Sequence, residues 1–320
     1  MSEPLTWVIG SSGLLGSHVA AAVGRHGPLW SPDAPIGWEV SGAADRLAQA
    51  ANAFAAAASD RPWQVAWCAG AGVPATPVEA LATEVTMFQV LLDGLQATMR
   101  RGSEGVVFLA SSAGGVYAGS GMAPFDEFTI PRAISPYGEI KLRLEQLAES
   151  WTASSPWPVA VGRISNLYGP GQDLSKPQGL ISQVCRAQLT REPVSIYVPL
   201  DTIRDYIFAG DCGAIVADVL RKARHEGEGA RFKVKIIASQ RGVTIGALLA
   251  ELRRILKRRI RVVHGTSAVS RYQASDLRMK SSVWTDLDRR SMTPLPVGIK
   301  LTFDDLTRQL QRGERLADRN

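Results

Sequence analysis

The chain has 320 residues, 45% of them apolar and 21% charged, an ordinary balance for folding around a core, and no uncharged apolar run reaches the roughly 18 residues of a membrane span. The net charge of +6 is densest over residues 253–261, where basic and apolar residues alternate as on the solvated face of an element, so nucleic acid is not an expected partner. Three cysteines (Cys68, Cys185, Cys212) without close spacing, and four histidines in no HxxxH arrangement, offer neither a disulfide framework nor a metal site and fit a reducing cytoplasm.

The chain runs into a first predicted strand at 6–9 with no basic segment ahead of it, so no signal peptide is expected. Gly10, Gly13 and Gly16 follow as G-x-x-G-x-x-G, interleaved with Ser12, Leu14 and Leu15, before a helical pattern. Such glycines permit a tight turn and bring a pyrophosphate to the free amides and positive dipole end of a helix, so a dinucleotide is the expected ligand. The helix ends near 24–27, and a second strand is expected within 28–33. Asp33 stands about where a carboxylate accepts the adenine ribose hydroxyls, which favours NAD while leaving NADP open. A stunted third strand at 37–40 and an alanine-rich helix over 46–58 come next.

Residues 65–72 read as a buried strand ending in small residues, among them Cys68, Ala69 and Gly70, as a backbone passing close to a cofactor requires. A helix over 85–99 is apolar on more than one face, so it is buried or meets a partner. The continuous apolar run 106–110 is a central parallel strand ending at Ala110. It delivers Ser111 and Ser112 to the carboxyl edge of the sheet, where ligands bind in open α/β folds and where two hydroxyls suit a substrate hydroxyl.

Ser135 and Pro136 then open a helix that places Tyr137 and Lys141 one turn apart on one face. An ammonium beside a phenol favours the phenolate and lowers a pKa that is ordinarily about 10, which suits proton exchange with an alcohol. A strand at 159–166 brings Ile164 and Asn166 to the same edge. Beyond 167–172 the composition turns loopier, suggesting a substrate lobe. In it a strand at 203–208 carries Arg204, a fork for phosphate; an amphipathic helix spans 243–256 and a terminal one opens at 303–306.

Together these stretches resemble the extended short-chain dehydrogenase/reductases, the family of nucleotide-sugar epimerases and dehydratases, from about residue 5 to about 310. The marks are the glycine triplet, the two serines ahead of Val116-Tyr117, Tyr137-x-x-x-Lys141, Asn166-Leu167-Tyr168-Gly169-Pro170-Gly171-Gln172 and Arg204-Asp205-Tyr206-Ile207. The resemblance implies an α/β, Rossmann-type, doubly wound parallel sheet over 1–166, with the Tyr/Lys helix in that domain. A smaller C-terminal substrate-binding lobe is implied over 167–320, some of whose strands return to the main sheet.

By the same resemblance Tyr137 is the acid/base on the sugar oxygen, and Lys141 holds the nicotinamide ribose. Ser112, or its neighbour Ser111, hydrogen-bonds that oxygen, while Asn166 and Arg204 face the nucleotide diphosphate. The cofactor lies against the glycine loop, Asp33, Cys68, Ala69, Gly70, Ala110 and Ile164. The implied activity is an NAD-dependent nucleotide-sugar epimerase acting by hydride transfer at a sugar carbon, commonly C4. The alternatives are an NADPH-dependent nucleotide-sugar 4-ketoreductase and a non-catalytic dinucleotide-binding sensor. A homodimer is expected, joined through the helices over 85–99 and 137–150. Four features depart from the family pattern: Ala113 replaces the usual catalytic serine or threonine, Gly114-Gly115 replaces the dehydratases' Asp-Glu pair, Glu84 replaces an asparagine, and the region around Asp33 is abbreviated.

Overall fold

A computed structural model describes residues 2–38, 41–70, 78–174, 178–226, 231–257, 260–265 and 274–313. In chain order the first half comprises β1 (Leu5–Ile9), α1 (Leu14–Val23), β2 (Leu29–Trp30), α2 (Ala43–Ala58), β3 (Trp63–Trp67), α3 (Val78–Thr98), β4 (Gly105–Ser112), α4 (Ala113–Tyr117), α5 (Pro136–Ser154) and β5 (Val159–Ile164). The second half continues through β6 (Asn166–Tyr168), α6 (Leu180–Thr190), β7 (Val194–Ile196), β8 (Ile203–Phe208), α7 (Ala209–His225), β9 (Phe232–Ile237), β10 (Gly242–Thr244), α8 (Ile245–Leu256), β11 (Val262–His264), β12 (Asp276–Leu277) and α9 (Leu295–Gln311).

Every residue of β1, β3 and β5 is buried, the pattern of parallel strands covered on both faces. The main sheet has the order β2-β1-β3-β4-β5-β9, and all its pairings are parallel. One face packs on α2, α3 and α5, and the other on α1 and α7. The fold is therefore the expected doubly wound parallel sheet. Because β1 is followed outward by β2 and inward by β3, the crevice where the strand order reverses opens at their carboxyl ends. The remaining strands form small sheets around β8 and a β7–β11 pair, whose core with α6, α8 and α9 holds Ile181, Leu248 and Ile299.

Several boundaries differ from the sequence expectation. The second strand is only Leu29–Trp30, and Gly37 and Trp38 belong to no strand; Glu39 and Val40, the rest of the expected third strand, lie outside the described residues. A side chain replaces the ladder here: the Arg46 guanidinium donates to the carbonyls of Ile36, Gly37 and Ser41. The strand expected over 65–72 ends at Trp67, with residues 71–72 outside the described set. Helix α2 starts at Ala43, α3 at Val78 and α9 at Leu295, each ahead of its predicted start, while Val243 and Thr244 belong to β10 rather than to the helix that follows. Apolar residues of α3, among them Phe88, Leu91 and Leu92, pack in one core with α2 of the same chain. Between α3 and α5 remains a shallow groove lined by Gln89, Asp93, Gln96, Leu147 and Trp151. Among the described residues no helix is long and apolar enough to cross a membrane.

The β1–α1 turn has little slack. Gly10 adopts φ +86°, and a Cβ there would lie 2.7 Å from the Ala69 nitrogen, while a Cβ at Gly16 would overlap the Gly10 carbonyl oxygen. Gly16→Ala is therefore expected to push α1 off the turn and lower the unfolding free energy by about 1–3 kcal/mol, read as a lower midpoint in chemical denaturation.

Candidate active site

The glycine turn forms one wall of the crevice. Gly13 caps α1 without a side-chain hydrogen bond, so the first-turn amides of Leu14, Leu15 and Gly16 face the turn, with Ser12 and Gly13 exposed at its tip. The other wall is the end of β3, where the Cys68 amide donates to the Ile9 carbonyl at 2.9 Å and Ala69 lies against Gly10. Gly70 is exposed beyond it. Ala110 and Ile164 close the floor from β4 and β5, in a register that pairs Ser112 with Ile164. A turn closed so tightly that neither Gly10 nor Gly16 could carry a Cβ, set at an uncapped helix start, fits a dinucleotide pyrophosphate. Asp33 is exposed three residues past β2. The Cys68 thiol is pushed up to about 12 by burial, against the pull of the Lys141 ammonium, so it stays protonated.

Helix α5 starts as its sequence dictates: the Ser135 hydroxyl accepts from the Gly138 amide and Pro136 occupies the first turn. A Cβ on Gly138 would overlap the Gly115 carbonyl oxygen, so the α4 backbone lies directly on the start of α5. That contact assembles the site. The Cβ position of Gly115 is 3.1 Å from the Tyr137 ring and 3.3 Å from Ser112 Oγ, so phenol and hydroxyl flank one glycine. Ser112 Oγ also accepts from the Gly115 amide at 3.2 Å. Tyr137 is half-buried, and Lys141 Nζ lies 5.6 Å from its ring centroid. Lys141 is buried and donates to Glu84 Oε1 at 2.7 Å. Burial alone would pull the lysine pKa down, but Glu84, by charge and hydrogen bond, together with Tyr137 and Glu145 outweighs it and holds it up.

The two serines part company. Successive strand residues face opposite ways, and Ser111 Oγ donates to Glu145 Oε1 at 2.5 Å in a buried network behind the site. Glu145 also accepts from Arg163 Nη2 at 2.6 Å, and Arg163 Nη1 donates to the Tyr117 hydroxyl at 2.6 Å. Burial pushes Tyr117 up to about 12 despite Arg163, which makes it a structural phenol. Ser111 is thus corrected from a substrate contact to an anchor of α5. Glu145 and Arg163 escaped the sequence reading, although Glu145 repeats the Tyr137–Lys141 spacing once more along α5, and Arg163 is the one charge in an apolar strand.

Asn166 and Arg204 form a second group. The exposed Asn166 donates from Nδ2 to the Asp205 carbonyl at 2.8 Å. Arg204 is buried, donates from Nη1 to the Ile203 carbonyl, and has its pKa lowered by burial against the pull of Tyr206 and Asp276. Asp205, on the opposite face of β8, accepts from Ser165 Oγ and from the Ser239 and Arg241 amides. Burial raises its pKa even so.

Comparisons with known proteins follow this geometry. The model of the NAD dependent epimerase/dehydratase family matches residues 6–234. GDP-6-deoxy-D-mannose reductase of Pseudomonas aeruginosa is 31% identical over 168 residues, 51% of this chain and 54% of that protein. dTDP-L-rhamnose 4-epimerase of Burkholderia thailandensis is 31% identical over 96 residues, 29% of this chain and 26% of that protein. The chain thus spans from 26% to 54% of the length of these curated relatives. The solved UDP-glucose 4-epimerase of Thermus thermophilus in complex with NAD superposes with a TM-score of 0.77 at 20% identity, over 95% of this chain and 99% of that one, a likeness of fold.

The buried network has a measurable weight. Glu145→Ala leaves the Arg163 guanidinium buried without its carboxylate and is expected to cost about 3–5 kcal/mol, seen as a fall in the urea midpoint.

Proposed function

We propose that this chain, which belongs to the NAD-dependent epimerase/dehydratase family, is a nucleotide-sugar epimerase whose acid/base is Tyr137. The observation that carries the reading is the convergence of the Tyr137 ring and Ser112 Oγ on Gly115, beside Lys141 and at the mouth of the glycine-turn crevice. The turn at Gly10–Gly16, with Cys68, Ala69 and Gly70, would hold NAD, which would supply hydride chemistry at the sugar carbon. Tyr137 takes the proton of the sugar hydroxyl and returns it, and Ser112 hydrogen-bonds the same oxygen. Ser112 stands in for the hydroxyl that the family carries at Ala113. Lys141 holds the nicotinamide ribose, and Arg204 with Asn166 meets the nucleotide diphosphate.

Tyr137→Phe is expected to keep dinucleotide binding while turnover falls by about 10²–10⁴-fold, measured as dinucleotide retained through purification and as initial rates. Comparable turnover in the variant would remove Tyr137 from the chemistry.

A second reading, a nucleotide-sugar 4-ketoreductase, is favoured by the match to the Pseudomonas reductase. The fate of the cofactor separates the two, since an epimerase returns it unchanged and a reductase consumes one reduced dinucleotide per product. The third option of the family, elimination of water, lacks its machinery. Gly114 and Gly115 carry no acid or base, and a side chain at 115 would meet both Tyr137 and Ser112. Incubation with nucleotide hexoses is therefore expected to give no 4-keto-6-deoxy sugar, a product that mass spectrometry would reveal by its loss of water.

A further inference from the structure

We propose that Glu84 is a positioning residue that holds Lys141 and offsets its charge, so that the Tyr137 phenol faces an ion pair rather than a lone ammonium. The proposal rests on the reading of Tyr137 as the acid/base. The carboxylate is 8% exposed, meets an equally buried ammonium at 2.7 Å, and lies about 3.1 Å from the Cβ position of Gly70, on the crevice wall. It is thus part of the site rather than a surface ion pair.

Lys141, 5.6 Å from the ring centroid, carries the charge that faces the Tyr137 phenol; around Lys141 stand Glu84 on α3, Glu145 on α5 and Cys68 at the end of β3, and Glu145 leads on to Arg163 on β5 and the Tyr117 phenol on α4. Glu145 is matched by Arg163 at 2.6 Å. The Cys68 thiol is neutral, burial having pushed it up to about 12. Ser112, from the end of β4, is neutral as well. What remains to act on the phenol is the Lys141–Glu84 pair. A lone ammonium 5.6 Å from the ring centroid would draw the phenol toward phenolate. A carboxylate in contact with that ammonium cancels most of the pull, because at these separations the phenol sees a dipole rather than a cation. With asparagine, the usual residue of the family at this place, the ammonium would act alone. The exchange to Glu84 is therefore a change of charge at the one group that tunes the acid/base.

The test is a titration of tyrosinate absorbance in the cofactor-free protein, with the Tyr137→Phe spectrum subtracted so that only Tyr137 is read. Glu84→Gln and Glu84→Asn are expected to move its ionisation to lower pH by about one unit or more, and Glu84→Asp, which keeps the charge, is expected to stay near the wild type. Two neutral variants guard against one failing to fold. The acid limb of the pH–rate profile is expected to shift down by the same amount in the neutral variants. An unmoved ionisation in a folded neutral variant, or equal shifts in Asp and Gln, would overturn the proposal, the second outcome marking Glu84 as merely structural. The parent reading fails separately: if Tyr137→Phe turns over like the wild type, Tyr137 is not the acid/base, whatever the titration shows.

Discussion

The buried carboxylate of Glu145 fixes where the chemistry can happen. It accepts from Ser111 on β4 and from Arg163 on β5, and Arg163 in turn reaches Tyr117 on α4. Three elements are thereby tied to the helix that carries Tyr137 and Lys141. Such a network gains little net stability over an apolar core of the same shape, because desolvation consumes most of the attraction. What it contributes is register. Sliding α5 along the sheet by one residue would break the bonds of Glu145 to Ser111 and Arg163 at once and leave charges buried. The Gly115–Gly138 contact sets the remaining dimension, the distance between α4 and α5. Together they bring Ser112 and Tyr137 to the two sides of Gly115.

Much of this was legible in the residues. Continuous apolar runs announced β1, β3, β4 and β5, and the cap at Ser135 followed by Pro136 announced α5. The glycine turn is readable because steric demand selects glycine where two backbones touch. The failures have physical causes. The Ser111 hydroxyl could have been assigned from strand alternation alone, since neighbouring strand residues cannot both face a substrate. Strand β9 was missed because Lys233 and Lys235 make it look like a solvated edge. In fact Lys235 is fully buried, donating to Ser281, the Val283 carbonyl and Asp288, partners 46 to 53 residues away in sequence. Helices α6 and α7 carry no chemical motif, and their burial depends on neighbours that only the fold supplies. The hydrophobicity of α3, which the sequence left open to burial or a partner, is matched within the chain by packing with α2.

The smaller sheets are coupled to the main one through Asp205. Its carboxylate gathers Ser165, just past β5, with Ser239 and Arg241, just past β9. The two adjacent strands of the main sheet are thus spliced to β8, the strand that carries Arg204. Alternation along β8 sends Asp205 toward this joint and leaves Arg204 and Tyr206 on the other face. A single Arg-Asp-Tyr run is therefore divided between two faces, Asp205 joining the sheets and its neighbours turned the other way.

The Arg46 staple has a consequence for how such a protein can change. The segment after β2 is held by one guanidinium on three carbonyls instead of a strand ladder, and of its described side chains Ile36 is the buried one. Its backbone path is therefore largely indifferent to which residues occupy the turn around Asp33. In most doubly wound sheets the equivalent stretch is locked between neighbouring strands, and altering it disturbs the sheet edge. Here the turn behaves as a cassette that lineages, or engineers, can exchange without rebuilding the core beneath it.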